Sequence, residues 1–282
     1  MINLMAGRKV LVKIFKYMII PLGIVNAFIK GRSNINILMY HRVNDAVFKE
    51  LSVTYSNFIW QMEYLHMKGY KVISLDEAIQ LKSVSLRNRK DKYIVLTFDD
   101  GYEDYYTYAF PVLSKYGFPS ISYLVPGYIQ TNKVYWWDND LGESRLMDWV
   151  QIDELKNSGI VQFGSHSMSH PDFNQLNKDE IKKELSLSQK ILEEKLSLNV
   201  RHFSYPRGIV TQYSRNMVKI MYNTAVSIYD GYEITHDCKD DYLTQLKRIP
   251  VQRSDGRYLF IARLNGWLDI EEGIKKIIRN HY

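Results

Sequence analysis

The sequence predicts an α/β fold, a distorted (β/α) barrel of about seven strands, in a chain of 282 residues. Two observations carry this prediction. From about residue 35 onward, short apolar runs of strand type alternate with segments whose apolar residues recur at helical spacing. Repeated β-α units imply parallel strands with helices outside them. The residues able to do chemistry stand at the ends of the apolar runs, where a barrel of parallel strands carries its site.

In chain order, residues 1–34 form a basic and apolar segment separate from the domain expected over 35–282. Arg8, Lys9, Lys13 and Lys16 precede the apolar run Tyr17 to Ile29. Thirteen residues are short for a transmembrane helix, Pro21 and Gly23 weaken a helix, and no small-residue cleavage site is clear. An anchoring segment, an uncleaved signal anchor and a helix packed on the domain all fit. The flanking cations favour peripheral membrane contact, and so a cell-envelope or membrane-associated setting over a cytoplasmic one.

Asn36 to Tyr40 reads as the first strand. Phe58, Met62 and Leu65 mark a helix stopped by Gly69, Lys71 to Leu75 a strand, and Asp76 the N-cap of the next helix. Tyr93 to Phe98 is a strong apolar strand, Tyr105 to Tyr116 a helix ended by Gly117, and Ile121 to Val125 a strand. The irregular stretch Gln130 to Trp149 reads as an insertion over one barrel face. Val161 to Phe163 is a strand, and Asn177 with Glu180 forms a capping box before the stripe Ile181, Leu185, Leu192 and Leu196. His202 to Tyr205, Thr224 to Ile228 and Arg248 to Gln252 read as strands, Ser214 to Tyr222 as a helix. Tyr258 to Leu264 and Glu271 to Arg279 read as closing helices.

Composition narrows the function classes. Apolar residues at 46% and charged residues at 24% describe an ordinary folded protein rather than a disordered one. Net charge is +6, yet the basic residues are scattered, apart from the N-terminal group and Arg87, Arg89, Lys90 and Lys92. No zinc-finger spacing or RNA-binding signature is present, so nucleic acid is not the expected partner. The single cysteine, Cys238, reads as an ordinary packed or surface residue.

Two polar knots carry chemistry. Asp99-Asp100-Gly101 ends the run Tyr93 to Phe98, and His166-Ser167-Met168-Ser169-His170 follows the strand at Val161 to Phe163. Asp-Asp-Gly alone is a common turn, and two histidines four apart recur by chance. At consecutive strand ends they point to a divalent metal held by Asp100, His166 and His170, with Asp99 beside it to take a proton from bound water.

Thr97-Phe98-Asp99-Asp100-Gly101, the His166 to His170 motif and Phe203-Ser204-Tyr205-Pro206-Arg207-Gly208 resemble the ordered motifs of NodB-homology polysaccharide deacetylases, over about residues 35 to 255. The resemblance implies metal-dependent hydrolysis of N-acetyl groups, sometimes O-acetyl groups, on an acetylated glycan. It makes Asp99 the general base and Asp100, His166 and His170 the ligands of a divalent metal, zinc by default. Asn36 to Val43 resembles the opening strand of the branch containing poly-N-acetylglucosamine deacetylases, which makes His41 the acid for the leaving amine. Many members carry an arginine in the third motif where this chain has Ser204; Arg248, or secondly Arg207, is expected to replace it. Tyr205 and Pro206 are expected to shape the acetyl pocket. A backbone N–H at Gly101 or Tyr102 would hold the oxyanion, and Trp136 and Trp137 with Asp138 sit where an aromatic face meets sugar. The competing readings are an inactive glycan-binding or scaffold protein on the same barrel, an O-deacetylase and a cyclic-amide hydrolase.

Overall fold

A computed structural model describes residues 2–30, 34–82, 91–141, 144–228, 240–271 and 274, with the side chains of the first helix described over 11–29. Cys238, Arg87, Arg89, Lys90, the side chains of Arg8 and Lys9, and most of the expected last helix lie outside the described residues.

The strands are β1 (Ile35–Tyr40), β2 (Arg42–Val43), β3 (Ser52–Val53), β4 (Lys71–Val72), β5 (Tyr93–Phe98), β6 (Ser120–Leu124), β7 (Val161–Ser165), β8 (His202–Ser204), β9 (Thr224–Val226) and β10 (Ile249–Pro250). Seven of them form a parallel sheet in the order β10-β1-β5-β6-β7-β8-β9. β4 pairs with the first residues of β5, while β2 and β3 make a separate pair. All six residues of β5 are buried, as expected for a parallel strand covered on both faces. Leu246 bridges Val226 at the end of β9, and three residues later β10 pairs with Leu38 and Met39 of β1. One short stretch therefore touches both edge strands and curls the sheet into the predicted distorted barrel.

The helices are α1 (Ile2–Lys30), α2 (Tyr55–Met67), α3 (Leu75–Lys82), α4 (Phe110–Tyr116), α5 (Trp149–Asn157), α6 (Lys178–Leu196), α7 (Gln212–Met221) and α8 (Gly256–Leu264). On α6 the capping box forms as read: Asn177 accepts from the amides of Asp179 and Glu180, and Glu180 accepts from Asn177. Its stripe Ile181, Leu185, Leu192 and Leu196 is buried in the main core. Gly117 ends α4 at φ +61°, a conformation open to glycine without penalty.

Three local expectations are corrected. Asp76 does not cap α3. Ser74 does, with its hydroxyl accepting from Glu77 N–H and Glu77 accepting from Ser74 N–H, while the Asp76 carboxylate turns to Gln162 and Arg201. The helix expected from Tyr105 opens as a π turn, Tyr105–Ala109, before α4. α1 runs unbroken through Pro21 and Gly23; a Cβ on Gly23 would collide with the Trp267 carbonyl, so glycine is there for close packing.

Candidate active site

The two adjacent aspartates do different things because of the backbone between them. Asp99 N–H donates to Tyr40 O (3.0 Å), carrying the β1-β5 ladder one residue past the strand. Asp100 (φ +72°) and Gly101 (φ +71°) then turn the chain through two successive left-handed residues. The carboxylates consequently face different partners.

Asp99 faces Arg248. Arg248 Nη1 donates to Asp99 Oδ1 and Nη2 to Oδ2, both at 2.6 Å, in a fork that is 1–2% exposed. The remaining guanidinium donors go to Thr97 Oγ1 (3.1 Å), Ser204 Oγ (3.0 Å) and the Ser227 carbonyl (3.2 Å). Ser204, standing where an arginine was expected, donates to Asp99 Oδ2 (3.3 Å) and accepts from Arg248. Burial alone would raise the Asp99 pKa. The charge of Arg248, then that of His166, then the hydrogen bonds from Arg248 overcome burial and hold the carboxyl well below its usual range. Arg248 therefore sits where its expected role requires. Arg207 does not: it pairs with Asp172 (2.7 Å), away from Asp99.

Asp100 faces the histidines. Its Oδ1 is 3.6 Å from both His166 Nε2 and His170 Nε2, and the ligand atoms of the three residues lie within 4.8 Å of one another. His166 donates from Nδ1 to the Ser204 carbonyl (2.7 Å), which leaves the lone pair on Nε2 turned toward Asp100. Burial lowers His166 to about 4 and His170 to about 3, so both are neutral acceptors at physiological pH. Burial, then the charges of Asp99 and Asp138, push Asp100 well above the usual carboxylate range. Asp100 Oδ1 is buried with no hydrogen-bond partner. A buried acceptor without a donor beside two neutral imidazoles is a donor set that a divalent cation satisfies.

The loop that carries the candidate ligand histidines is held from behind. Glu184 of α6 accepts from the amides of Met168 and Ser169 (2.9 Å each) and from Ser169 Oγ (2.7 Å). Ser167 Oγ accepts from His170 N–H (3.0 Å).

His41 follows β1 directly and lines the same cleft as Asp99, Asp100 and the histidines, which holds about 460 Å³. Its Nδ1 is buried without a partner, and burial lowers its pKa to about 4. Tyr205 and Tyr102 line the cleft; Pro206, buried but not part of its wall, opens the turn Pro206–Gly208. Tyr102 also bridges Leu146. The bonds of that pair come from Met147 N–H to Gly101 O and from Glu103 N–H to Arg145 O, so the Tyr102 N–H stays outside the ladder.

The insertion folds across the mouth, as expected, and makes contacts there that sequence reasoning did not assign. Asp138, 1% exposed, accepts from Tyr102 Oη (2.6 Å), Ser144 Oγ (2.8 Å) and Lys49 Nζ (3.2 Å), with Arg42 at 3.7 Å. Arg42 pairs with Asp104 and stacks over the Tyr102 ring at 4.4 Å. Tyr135 donates to the Asp100 carbonyl (2.9 Å) and stacks on Trp137, whose ring lies 4.7 Å from that of His170. Trp137 donates to Tyr102 Oη (3.0 Å), and Trp136 stands exposed on the rim. The one sequence signal for this layer was the Trp-Trp-Asp triplet; Arg42, Lys49 and Tyr135 had none.

A family model described as polysaccharide deacetylase matches residues 86–226, half of the chain. The chain belongs to the polysaccharide deacetylase family. It is 26% identical over 215 residues to YxkH of Bacillus subtilis, whose name classes it with polysaccharide deacetylases, covering 76% of this chain and 70% of that one. It is 27% identical over 195 residues to a poly-β-1,6-N-acetyl-D-glucosamine N-deacetylase of Staphylococcus epidermidis, covering 61% of this chain and 64% of that enzyme. Against the Escherichia coli enzyme of the same name the match covers 46% of this chain and only 20% of the longer relative. Among solved structures, a polysaccharide deacetylase from Bacillus cereus (TM-score 0.68, 24% identity, 82% of this chain and 68% of that one) shares the fold. So does the Streptococcus pyogenes deacetylase PplD (TM-score 0.67, 24% identity, 82% and 97%).

Proposed function

We propose that this polysaccharide deacetylase removes N-acetyl groups from an amino-sugar polymer of the cell envelope, of the poly-N-acetylglucosamine type named for its relatives. The observation that carries this reading is the divided labour of the aspartates: Asp99 locked by Arg248, Asp100 left with an unpartnered oxygen before two neutral imidazoles.

Asp100, His166 and His170 would hold a divalent cation, and their nitrogen and oxygen donors suit zinc. When bound there, such a cation polarises a carbonyl oxygen and acidifies water. Asp99 takes the proton of the attacking water at Oδ2, the oxygen 3.8 Å from His166 Nε2, and Arg248 keeps it anionic for that task. Arg248 lies behind Asp99 and off the cleft wall, so it positions the base rather than touching substrate. The Tyr102 N–H, outside its ladder, faces the negative charge that develops on the acetyl oxygen. His41, neutral at rest, takes up the proton that Asp99 removed from the water as negative charge growing on the substrate raises its basicity, and passes it to the departing nitrogen. Tyr205, with Pro206 behind it, bounds the acetyl pocket, and Trp137 offers an aromatic face to the sugar ring. Acetate and a free amine leave.

The test is acetate release from N-acetylglucosamine oligomers with and without a chelator, alongside metal content. Asp99→Asn is expected to lose about 10²–10⁴-fold in rate while keeping its metal. His166→Ala is expected to lose both. An Asp99→Asn protein working at the wild-type rate would remove the base from this scheme.

A further inference from the structure

One face of α1 is committed to the catalytic domain. Phe15, Ile19 and Ile20 pack with Leu259, Ala262, Trp267 and Leu268, and Gly23 lets the Trp267 backbone approach. At the centre of that face Lys16 is fully buried. Its Nζ donates to Asp255 Oδ1 (2.7 Å), Gln252 Oε1 (2.6 Å) and Ser254 Oγ (3.3 Å). Asp255 also binds Arg263, which reaches Glu271, so Lys16 completes a buried cluster of two cations and two anions.

The opposite face is apolar and bare. Leu11, Met18, Leu22, Val25 and Ile29 are spaced by seven, four, three and four residues, hence aligned along the helix, and each is 57–75% exposed. Phe28 beside them is 89% exposed. Between residues 2 and 30 the sequence has five basic residues and no acidic one. A long apolar stripe flanked only by cations is complementary to an anionic lipid surface.

We propose that α1 lies flat on an anionic membrane, latched to the barrel through Lys16, with its outer stripe in the lipid interface. Leu11–Ile29 is long and apolar enough to cross a bilayer. Crossing, however, would take Lys16 from Asp255 or carry the charged cluster into hydrocarbon, and both are costly. Lying flat covers the whole stripe and leaves the latch closed. The latch also sets the direction of the active site. Gln252 to Asp255 follow the C-terminal end of β10, the mouth end of the barrel, whereas β1 starts at the other end soon after α1 finishes. α1 thus runs alongside the barrel, and a flat helix makes the mouth open sideways along the membrane, toward polymer displayed there.

The full chain is sedimented with vesicles of phosphatidylcholine alone or with added phosphatidylglycerol. The expected result is binding to the anionic vesicles, weakened by salt and released by alkaline carbonate. Met18→Glu/Leu22→Glu is expected to bind at least about tenfold more weakly, since two buried apolar side chains are lost from the interface. Its melting temperature and acetate release from soluble oligomers should match wild type, which separates this test from that of the catalytic reading. Three results overturn the proposal. They are wild-type chain left in the supernatant, a double variant that sediments like wild type, and carbonate-resistant binding, which means a spanning helix. A dimer dissolved by the same substitutions without vesicle binding would assign the stripe to a second copy instead.

Discussion

Arg248→Ala strikes a heavily constrained buried contact. The guanidinium is 1% exposed, makes two 2.6 Å bonds to Asp99 and spends its other donors on Thr97, Ser204 and Ser227. Removing one member of a buried pair leaves the other charged and unsolvated, at a cost of about 3–5 kcal/mol. At about 2–4 °C per kcal/mol for a domain somewhat smaller than this one, the melting temperature should fall by roughly 6–20 °C. The pH dependence has a definite sign. In the wild type the folded pKa of Asp99 is depressed, so its contribution to stability is complete above the ordinary carboxylate pKa and is lost as pH falls toward the folded value. Without Arg248, burial is the leading influence and the folded pKa rises above the unfolded one. The penalty is then largest at neutral pH and shrinks on acidification. The acid limb of the acetate-release profile should move to higher pH, because the base must be ionised to work. Arg248→Lys keeps the charge but not the fork, so it should fall between the two in melting temperature and in pH profile. Thermal melts from pH 4 to 8 and a pH-rate profile measure both effects. An Arg248→Ala protein that melts like wild type with an unmoved acid limb would refute the reasoning.

Two further substitutions probe how the site is supported. Glu184→Ala removes the acceptor for the amides of Met168 and Ser169, between the two candidate ligand histidines. Metal affinity, read by titration against a competing chelator, should drop about 10–100-fold with little loss of fold. Asp138→Ala frees Tyr102, Ser144 and Lys49 together and loosens the insertion over the mouth. KM for oligomers should then rise more than kcat falls, whereas an equal loss in kcat alone would place Asp138 in the chemical step.

Much of this was legible because it is local. Alternating strand and helix periods, the Asn177-Glu180 box and the Gly117 stop depend on residues a few positions apart, and they formed where expected. Asp76 misled because Ser74, two residues earlier, also offers a capping oxygen, and which amide each side chain reaches depends on the first turn's geometry. Pro21 and Gly23 were read as weakening a helix, yet packing against α8 and Trp267 keeps α1 continuous. The candidate ligands and the candidate base were legible because they stand just beyond two strands, Asp99 and Asp100 after β5, His166 and His170 after β7. The support for the base was harder to see, since the guanidinium comes from 149 residues away and meets a serine where an arginine was sought. Asp138 was named only as a neighbour of the tryptophans, and its partners were hidden for a related reason: they are residues 42, 49, 102 and 144, joined only when the insertion folds back.

Backbone strain marks the same place independently of any motif. Among the described residues, six non-glycine positions have positive φ, and four of them, Asp100, Ser167, His170 and Arg207, cluster at the mouth. Each costs on the order of 1 kcal/mol or more and persists only where neighbours over-determine it. The neighbours are identifiable: Tyr135 on the Asp100 carbonyl, Ser165 and Ser167 around the ligand loop, Glu184 behind it and Asp172 on Arg207. Glycine would adopt these angles more cheaply, but it has no carboxylate or imidazole to bring to a metal. On the proposed ligand roles, the strain at Asp100 and His170 comes from requiring a ligand side chain and a left-handed backbone at one residue. Because Glu184 and Tyr135 hold that backbone without touching the ligand atoms, weakening either should loosen metal binding before it loosens the barrel.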